Sequence, residues 1–383
     1  MDISIIGGGI GGLCTAIALQ RQGHSVKVFE RSENLRPIGA GLALGANAIM
    51  ALQEIGLAEE IIKEGKVLKY LSILDKKGRS ISVRDTVELS KKYGIDNFTI
   101  HRASLQKVLL ENLLPDTLFL GFQFRSFKQS STQVEVTFEN GEKISADCLI
   151  AADGVHSAIR KMLVPTIVPR YSGYTCWRAV IEKIPSNFDD NIFSETWSSK
   201  GRFGIAPLKD GKVYWYACLN ALKNDEVVRK YGVKELQEVF KGFHFPIPHL
   251  ISLTENHQLI QGDIIDLPPL EKFAFEKILL VGDSAHATTP NMGQGACQAI
   301  EDAIIVSKCL TSDLSIEASF KKFEILRMKR TRKIVKTSWI LGKIAQLSNP
   351  GLCQIRDIIL RSIPNKVNDK QLEFLYNVNF RDI

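Results

Sequence analysis

The apolar positions fall into blocks of two different periods. Ile3, Ile5 and Ile6 form a short apolar run that ends in a cluster of glycines; Leu13, Ile17 and Ala18 then recur at helical spacing, and Val26 to Glu30 reads as a second strand. This is a strand–helix–strand unit. Leu71 to Val83 alternates around Lys77-Gly78, and Val134, Val136 and Phe138 alternate before Asn140-Gly141 and a strand through Ile150, so both segments predict antiparallel hairpins. From Tyr171 to Leu270 the pattern is strand-like and rich in proline, as in YTCWRAVI and VYWYACL. An apolar run at Ile278 to Val281 predicts a buried strand, Ala296 to Leu310 predicts a helix with Ala299, Ile300, Ala303 and Ile304 on one face, and the signal beyond Ser319 is helical, interrupted at Pro350 and Pro364. The expected organisation is α/β: a nucleotide-binding domain from 1–70, 98–170 and 271–320, an interleaved β-sheet lobe from 71–97 and 171–270, and C-terminal helices over 321–383.

Composition narrows the class. With 383 residues, 45% hydrophobic and 24% charged, the chain is long enough for two lobes around substantial cores. Seven widely spaced cysteines, without a Cys-x-x-Cys pair, argue against a zinc ribbon, a dithiol centre or a secreted disulfide scaffold, and point to reduced thiols in a cytoplasmic protein. Residues 3–19 lack charge, but Asp2 stands where a leader would be basic and five glycines break the run, so no stable membrane insertion is expected. Much of the net charge of +7 lies in Arg327, Lys329, Arg330, Arg332, Lys333 and Lys336. Without interleaved aromatics this run reads as a solvated helix face, and no nucleic-acid partner is expected.

Four segments carry chemistry. IIGGGIGGL satisfies G-x-G-x-x-G with Gly7, Gly9 and Gly12: the first glycine permits a tight turn, the second close approach of a pyrophosphate, the third close packing of helix on strand. Glu30, 18 residues after Gly12, ends the next strand, where an acidic group binds ribose hydroxyls. Arg102 opens a helical segment, where a cation opposes the helix dipole unless an anion lies nearby. DCLIAADGVHSAIR places Asp153-Gly154 after a strand, and ILLVGDSAHATTPNMGQGACQAIEDA delivers Asp283 from a strand into a turn before Gly293-Gln294-Gly295 opens a helix. Free N–H groups at that helix start suit negative charge developing on a bound ring. His286 reads as a hydrogen-bonded structural residue, and no metal site is expected.

These motifs, in this order and spacing, resemble those of the single-component FAD-dependent aromatic hydroxylases, the para-hydroxybenzoate hydroxylase-like flavoproteins, over about residues 1–340. The resemblance implies a Rossmann-like domain holding FAD non-covalently. Gly7, Gly9, Gly12 and Glu30 would bind its ADP half, Arg102 would contact it, and Asp153 and Gly154 would serve both FAD and a transient nicotinamide. Asp283 would hold the ribityl and pyrophosphate region, while Pro290, Gly293, Gln294 and Gly295 line the flavin ring. Cys297 departs from the asparagine of many relatives. The implied reaction is reduction of FAD by NAD(P)H, addition of O2 to give a C4a-hydroperoxide, and oxygen transfer to a small planar substrate. The YSGYTCWR and TTPNMGQGACQAIEDA segments look closer to salicylate hydroxylase-, urate hydroxylase- and zeaxanthin epoxidase-like members than to phenol hydroxylases. Substrate contacts are expected from Arg178, Arg202, Phe203 and Tyr214 in the second lobe. Tyr214 and Trp215 must point to opposite faces of their strand, so at most one meets a ligand. A dehydrogenase of the same fold without oxygen insertion, and a FAD-binding interaction module whose basic C-terminal helices recruit a membrane or partner, stay open as alternatives.

Overall fold

The computed structural model describes residues 1–35, 40–87, 90–91, 94, 97–182, 188–311, 313–364 and 373–380. The opening strand Asp2–Ile6 pairs in parallel with Ser25–Glu30 on one side, with Ile3 opposite Val26, and with Cys148–Ala151 on the other, with Ile3 opposite Cys148. It is the centre of a six-stranded sheet that also contains Ile278–Leu280, Ala274–Phe275 and Leu118–Leu120. Both faces are covered over most of the central strands, which is why Ile3–Ile6 and Cys148–Ala151 are buried at every position. The helix Ile10–Arg21, buried from Gly12 to Leu19, and the helix Gly295–Leu310 pack together against this sheet. The chain adds strands first on the Ser25–Glu30 side of Asp2–Ile6 and later on the Cys148–Ala151 side, and such a switch in strand order opens a crevice at the carboxyl ends of the parallel strands.

A seven-stranded sheet forms the second half, in the order Ile260–Asp266, Arg170–Ile181, Val213–Asn220, Gly201–Pro207, Ile192–Ser198, Tyr70–Asp75, Ser80–Asp85. The hairpin expected around Lys77-Gly78 is its edge, joined in parallel to Ile192–Ser198. One face is packed by the helices Val233–Phe240 and Ile247–Ser252 over Trp177, Phe203, Trp215 and their neighbours. The other looks toward the nucleotide half. The Asn140-Gly141 hairpin also forms, but its second strand stops at Ala146; after Asp147 the chain changes sheets, and Cys148–Ala151 joins the parallel one. Alternation stops there because both faces of the new strand are buried, a change of environment and not of propensity.

The basic run departs from expectation. Arg327 is fully buried inside the thirty-residue helix Ile316–Ala345, its Nη1 2.5 Å from Glu301 Oε2 and its Nε 2.5 Å from Asp302 Oδ1. Arg330 donates to both oxygens of Glu301 and to the carbonyls of Phe374 and Leu375. Only part of the run is the expected solvated face: Lys329, Lys333 and Lys336 are exposed, whereas Arg327 and Arg330 turn inward to meet two acids of the helix Gly295–Leu310. The interruption expected at Pro350 is present: the long helix ends at Ala345, and Pro350 begins the next, Pro350–Ser362, capped by Asn349. The remainder of the expected C-terminal helical stretch, 365–372 and 381–383, lies outside the described residues.

Arg327→Ala would leave two carboxylates buried without their counter-charge, and should cost about 3–5 kcal/mol in denaturant unfolding. Desolvation raises the Asp302 carboxyl, but the charges of His286 and Arg327 more than reverse this and bring it to about 2. A lowered acid stabilises the folded state above its ordinary value. That part of the stability should therefore be lost as pH falls from the ordinary aspartate range through about 2.

Candidate functional site

The glycine turn is shaped by what it touches. Gly7 has φ +112°, and a Cβ there would lie 2.3 Å from the Ala152 carbonyl oxygen; at Gly12 it would lie 1.9 Å from the oxygen of Gly7. At Gly9 nothing lies within 4 Å. Gly7 and Gly12 are therefore required by the fold, whereas Gly9 leaves space. Glu30 closes the turn by accepting from the Gly8 N–H at 2.7 Å and from the Ser32 N–H at 3.0 Å. Gly8, Gly9, Glu30, Ser32, Arg102 and Gln106 line a cavity of about 520 Å³. Arg102 is exposed at the first turn of the helix Arg102–Glu111.

The third and fourth motifs meet beside this cavity. Asp153 follows the strand parallel to Asp2–Ile6; its Oδ2 accepts from the Ala158 and Ile159 N–H groups, while its buried Oδ1 has no protein partner. Gly154 has φ +82°. Arg160, buried, donates to the Ser284 and Val155 carbonyls and so clamps the two motifs together. Asp283 is open to solvent but walled by protein, which raises its carboxyl, with the charges of His286 and Arg102 acting the other way. His286 bonds Asp302 at 2.6 Å. Pro290 begins a single turn, Gly293 closes it in the left-handed region at φ +63°, and Gly295 opens a sixteen-residue helix. The side chain of Gln294 turns inward, its oxygen accepting from Asn47 and Gln298. Cys297 is buried, with Sγ 3.5 Å from the Gly293 oxygen.

Opposite this turn lies the free face of the seven-stranded sheet. Register places Cys176, Arg178 and Val180 across from Cys218, Tyr216 and Tyr214, and these in turn across from Arg202, Gly204 and Ala206. The Tyr174 hydroxyl reaches Asn291 Oδ1 at 3.1 Å, joining the face to the Pro290 turn, and Tyr214 packs on the backbone of Gly41. Arg202 is buried, bonded to Glu195 at 3.0 Å and Gln346 at 3.0 Å, and its charge is already balanced. Arg178 has no carboxylate partner among the described residues; its charge instead faces Cys176 and Tyr214. Burial would raise the Cys176 thiol, but a hydrogen bond from Cys218 and the charges of Arg178 and Arg202 bring it down to about 7.

Phe203 is a correction. It lies on the other face, fully buried and stacked on Trp215 at 5.1 Å, because residues 202 and 203 cannot share a side of one strand. Trp215 points into the same core, so of the pair it is Tyr214 that faces the site. The sequence reading missed Tyr174, Cys176, Glu195 and Tyr216. Two-residue alternation from Arg178 and Tyr214 would have found Cys176 and Tyr216, whereas Glu195 needed the strand pairing.

A family model described as an FAD binding domain matches residues 1–239 and 263–337. Aurachin C monooxygenase/isomerase of Stigmatella aurantiaca is 35% identical over 361 residues, 94% of either chain. The chain belongs to the FAD-dependent, aromatic hydroxylase-like monooxygenases. This monooxygenase is also 28% identical over 375 residues to 2-heptyl-3-hydroxy-4(1H)-quinolone synthase of Pseudomonas aeruginosa, 95% of each chain. Its fold superposes on Klebsiella pneumoniae HpxO complexed with FAD and uric acid with a TM-score of 0.90 at 25% identity, covering 98% of this chain and 97% of that one. The cofactor is FAD. The monooxygenase fits it: open space at Gly9, the unpartnered oxygen of Asp153 and the cation of Arg102 are a dinucleotide's requirements set around one crevice.

Gly9→Ala should fold with an unchanged thermal midpoint yet bind FAD at least about ten-fold more weakly, since its Cβ meets only cofactor. Gly12→Ala should lose soluble protein. Fluorescence titration of the apoprotein with FAD, beside thermal unfolding, separates the two, and equal behaviour of both variants would refute this division.

Proposed function

We propose that this monooxygenase uses NAD(P)H and O2 to hydroxylate or epoxidise a small planar aromatic or conjugated substrate held on the free face of the seven-stranded sheet. The observation that carries the reading is Arg178, a cation on that face without a carboxylate partner among the described residues, set beside Tyr214 and across from the Pro290–Gly295 turn. Gly7, Gly9, Gly12, Glu30 and Arg102 hold the adenine side of FAD in this proposal. Asp153, Gly154 and Asp283 hold its middle, and Pro290 with the backbone of 293–295 flanks the ring. The division of the chain into nucleotide-binding and substrate segments, at the boundaries expected above, is part of the same reading.

When bound, FAD supplies electron transfer from nicotinamide and activation of O2. The protein supplies position and charge. Arg178 pairs with an anionic oxygen of the substrate and so favours its ionised form, whose ring is richer in electrons than the neutral one. Burial first of all keeps the phenols protonated, with Tyr174 pushed up to about 12 and Tyr214 higher, so both donate hydrogen bonds and neither serves as a base. The burial of Tyr174, Cys176, Cys218 and Tyr214 on this face limits the water that reaches the reacting atoms. Relatives named for urate and for a 4(1H)-quinolone suggest a fused nitrogen heterocycle bearing a ring carbonyl, whose enolate form is the anion Arg178 would meet.

Such ligands should accelerate NAD(P)H oxidation, with one atom of labelled O2 recovered in product. Accelerated oxidation with no label incorporated would favour a dehydrogenase. Arg178→Met should raise KM by about ten-fold or more while FAD stays bound.

Cys176 gives a pH signature. Its thiolate and an anionic ligand compete for the same arginine, so ligand binding favours the protonated thiol. Affinity should therefore weaken as pH rises through about 7, by at most about ten-fold per unit, and Cys176→Ser should flatten the profile.

A further inference from the structure

The helix Pro350–Ser362 turns Cys353 and Arg356 toward the protein and exposes Leu352, Ile355, Ile358 and Ile359 by 50%, 55%, 62% and 56%. At helical spacing these four occupy a stripe about 120° wide, the face that normally packs on a core. The preceding helix adds Ile340 and Ile344, one turn apart near its C-terminal end and also exposed. Arg356 donates to the carbonyls of Ile344 and Ala345, which fixes the two helices to one another. Single exposed aliphatics are ordinary on a protein surface; six on two successive helices mark a contact surface.

Charge decides what covers it. Between residues 336 and 362 the charged side chains are Lys336, Lys343, Arg356, Arg361 and Asp357, a net +3. The lone acid is held by Arg356 at 2.8 Å. Arg361 also reaches Asp75, but Asp75 is shared with Arg79, so that contact leaves the balance unchanged. A second copy docked on this face would set +3 against +3, whereas an acidic surface complements it. A helix of thirteen residues cannot span a bilayer, and among the described residues no helix is long and apolar enough to do so. An amphipathic, positively charged helix of this length lies in the lipid–water interface.

We propose that the face formed by Ile340, Ile344, Leu352, Ile355, Ile358 and Ile359 docks the enzyme on the surface of an anionic lipid bilayer. The docking end of the long helix also braces the substrate face, through Lys343 on the Ser172 carbonyl and through Gln346 on Arg202. Docking therefore holds the substrate face beside the membrane, where a lipophilic ring compound concentrates.

The test is co-sedimentation of the full-length, FAD-loaded protein with vesicles of phosphatidylcholine alone or mixed with phosphatidylglycerol. Binding to the anionic vesicles that weakens with salt is expected. Ile355→Asp combined with Ile359→Asp should lower partitioning at least ten-fold, and Lys336→Glu should reduce both binding and its salt dependence. All three side chains are exposed, so flavin absorbance and thermal midpoint should match the parent in each variant. The proposal falls if the parent ignores anionic vesicles at low salt, or if the double variant binds as the parent does. It also falls if sedimentation velocity shows a dimeric parent and a monomeric double variant, because the face is then a self-interface.

Discussion

Burying Arg327 between Glu301 and Asp302 is the constraint on which the rest of the structure depends. Removing three charges from water is costly, and the cost is offset only because the charged groups are each paired and hydrogen-bonded: Gln298 and Asn47 complete Arg327 and Glu301, while the Gly282 N–H and His286 complete Asp302. Through those partners the cluster fixes the turn that carries Asp283, the helix that starts at Gly295 and the long helix behind both. A polar network inside the interior has one satisfactory arrangement, where an apolar core tolerates many. The crevice is held rigid from the side facing away from the cofactor.

Pairing geometry sets the second half of the site. Tyr216 lies so close over Gly204 that a Cβ there would be 2.0 Å from the ring, and Arg202 is neutralised by Glu195 from the adjacent strand. Of two arginines on one face, the buried Arg202 is structural and the half-buried Arg178 is left for a ligand. The difference arises from a single carboxylate in the neighbouring strand.

Much of the nucleotide half was legible because its chemistry is local. Gly7, Gly9 and Gly12 act within one turn, and the strands on either side are short apolar runs whose type follows from neighbours in sequence. The family resemblance carried the cofactor further than periodicity alone. Phe203, by contrast, was placed beside Arg202 against the two-residue period that had correctly separated Tyr214 from Trp215. The basic run misled for a different reason: nothing within 327–336 reveals that Glu301 and Asp302, on a helix that reads as amphipathic, point inward. Long-range pairing decides the fate of both segments, and one-dimensional spacing does not contain it.

The interleaving of the two halves bears on how the protein comes into being. The helix after the first glycine turn packs against Gly295–Leu310, and that helix is in turn neutralised by Ile316–Ala345. A nascent chain that has emerged only as far as its first strand–helix–strand unit has the dinucleotide motif but neither of these partners. Cofactor capture must therefore await synthesis of residues 295–345, and until then the ribosome-bound chain exposes a largely apolar helix that its own later residues are meant to cover.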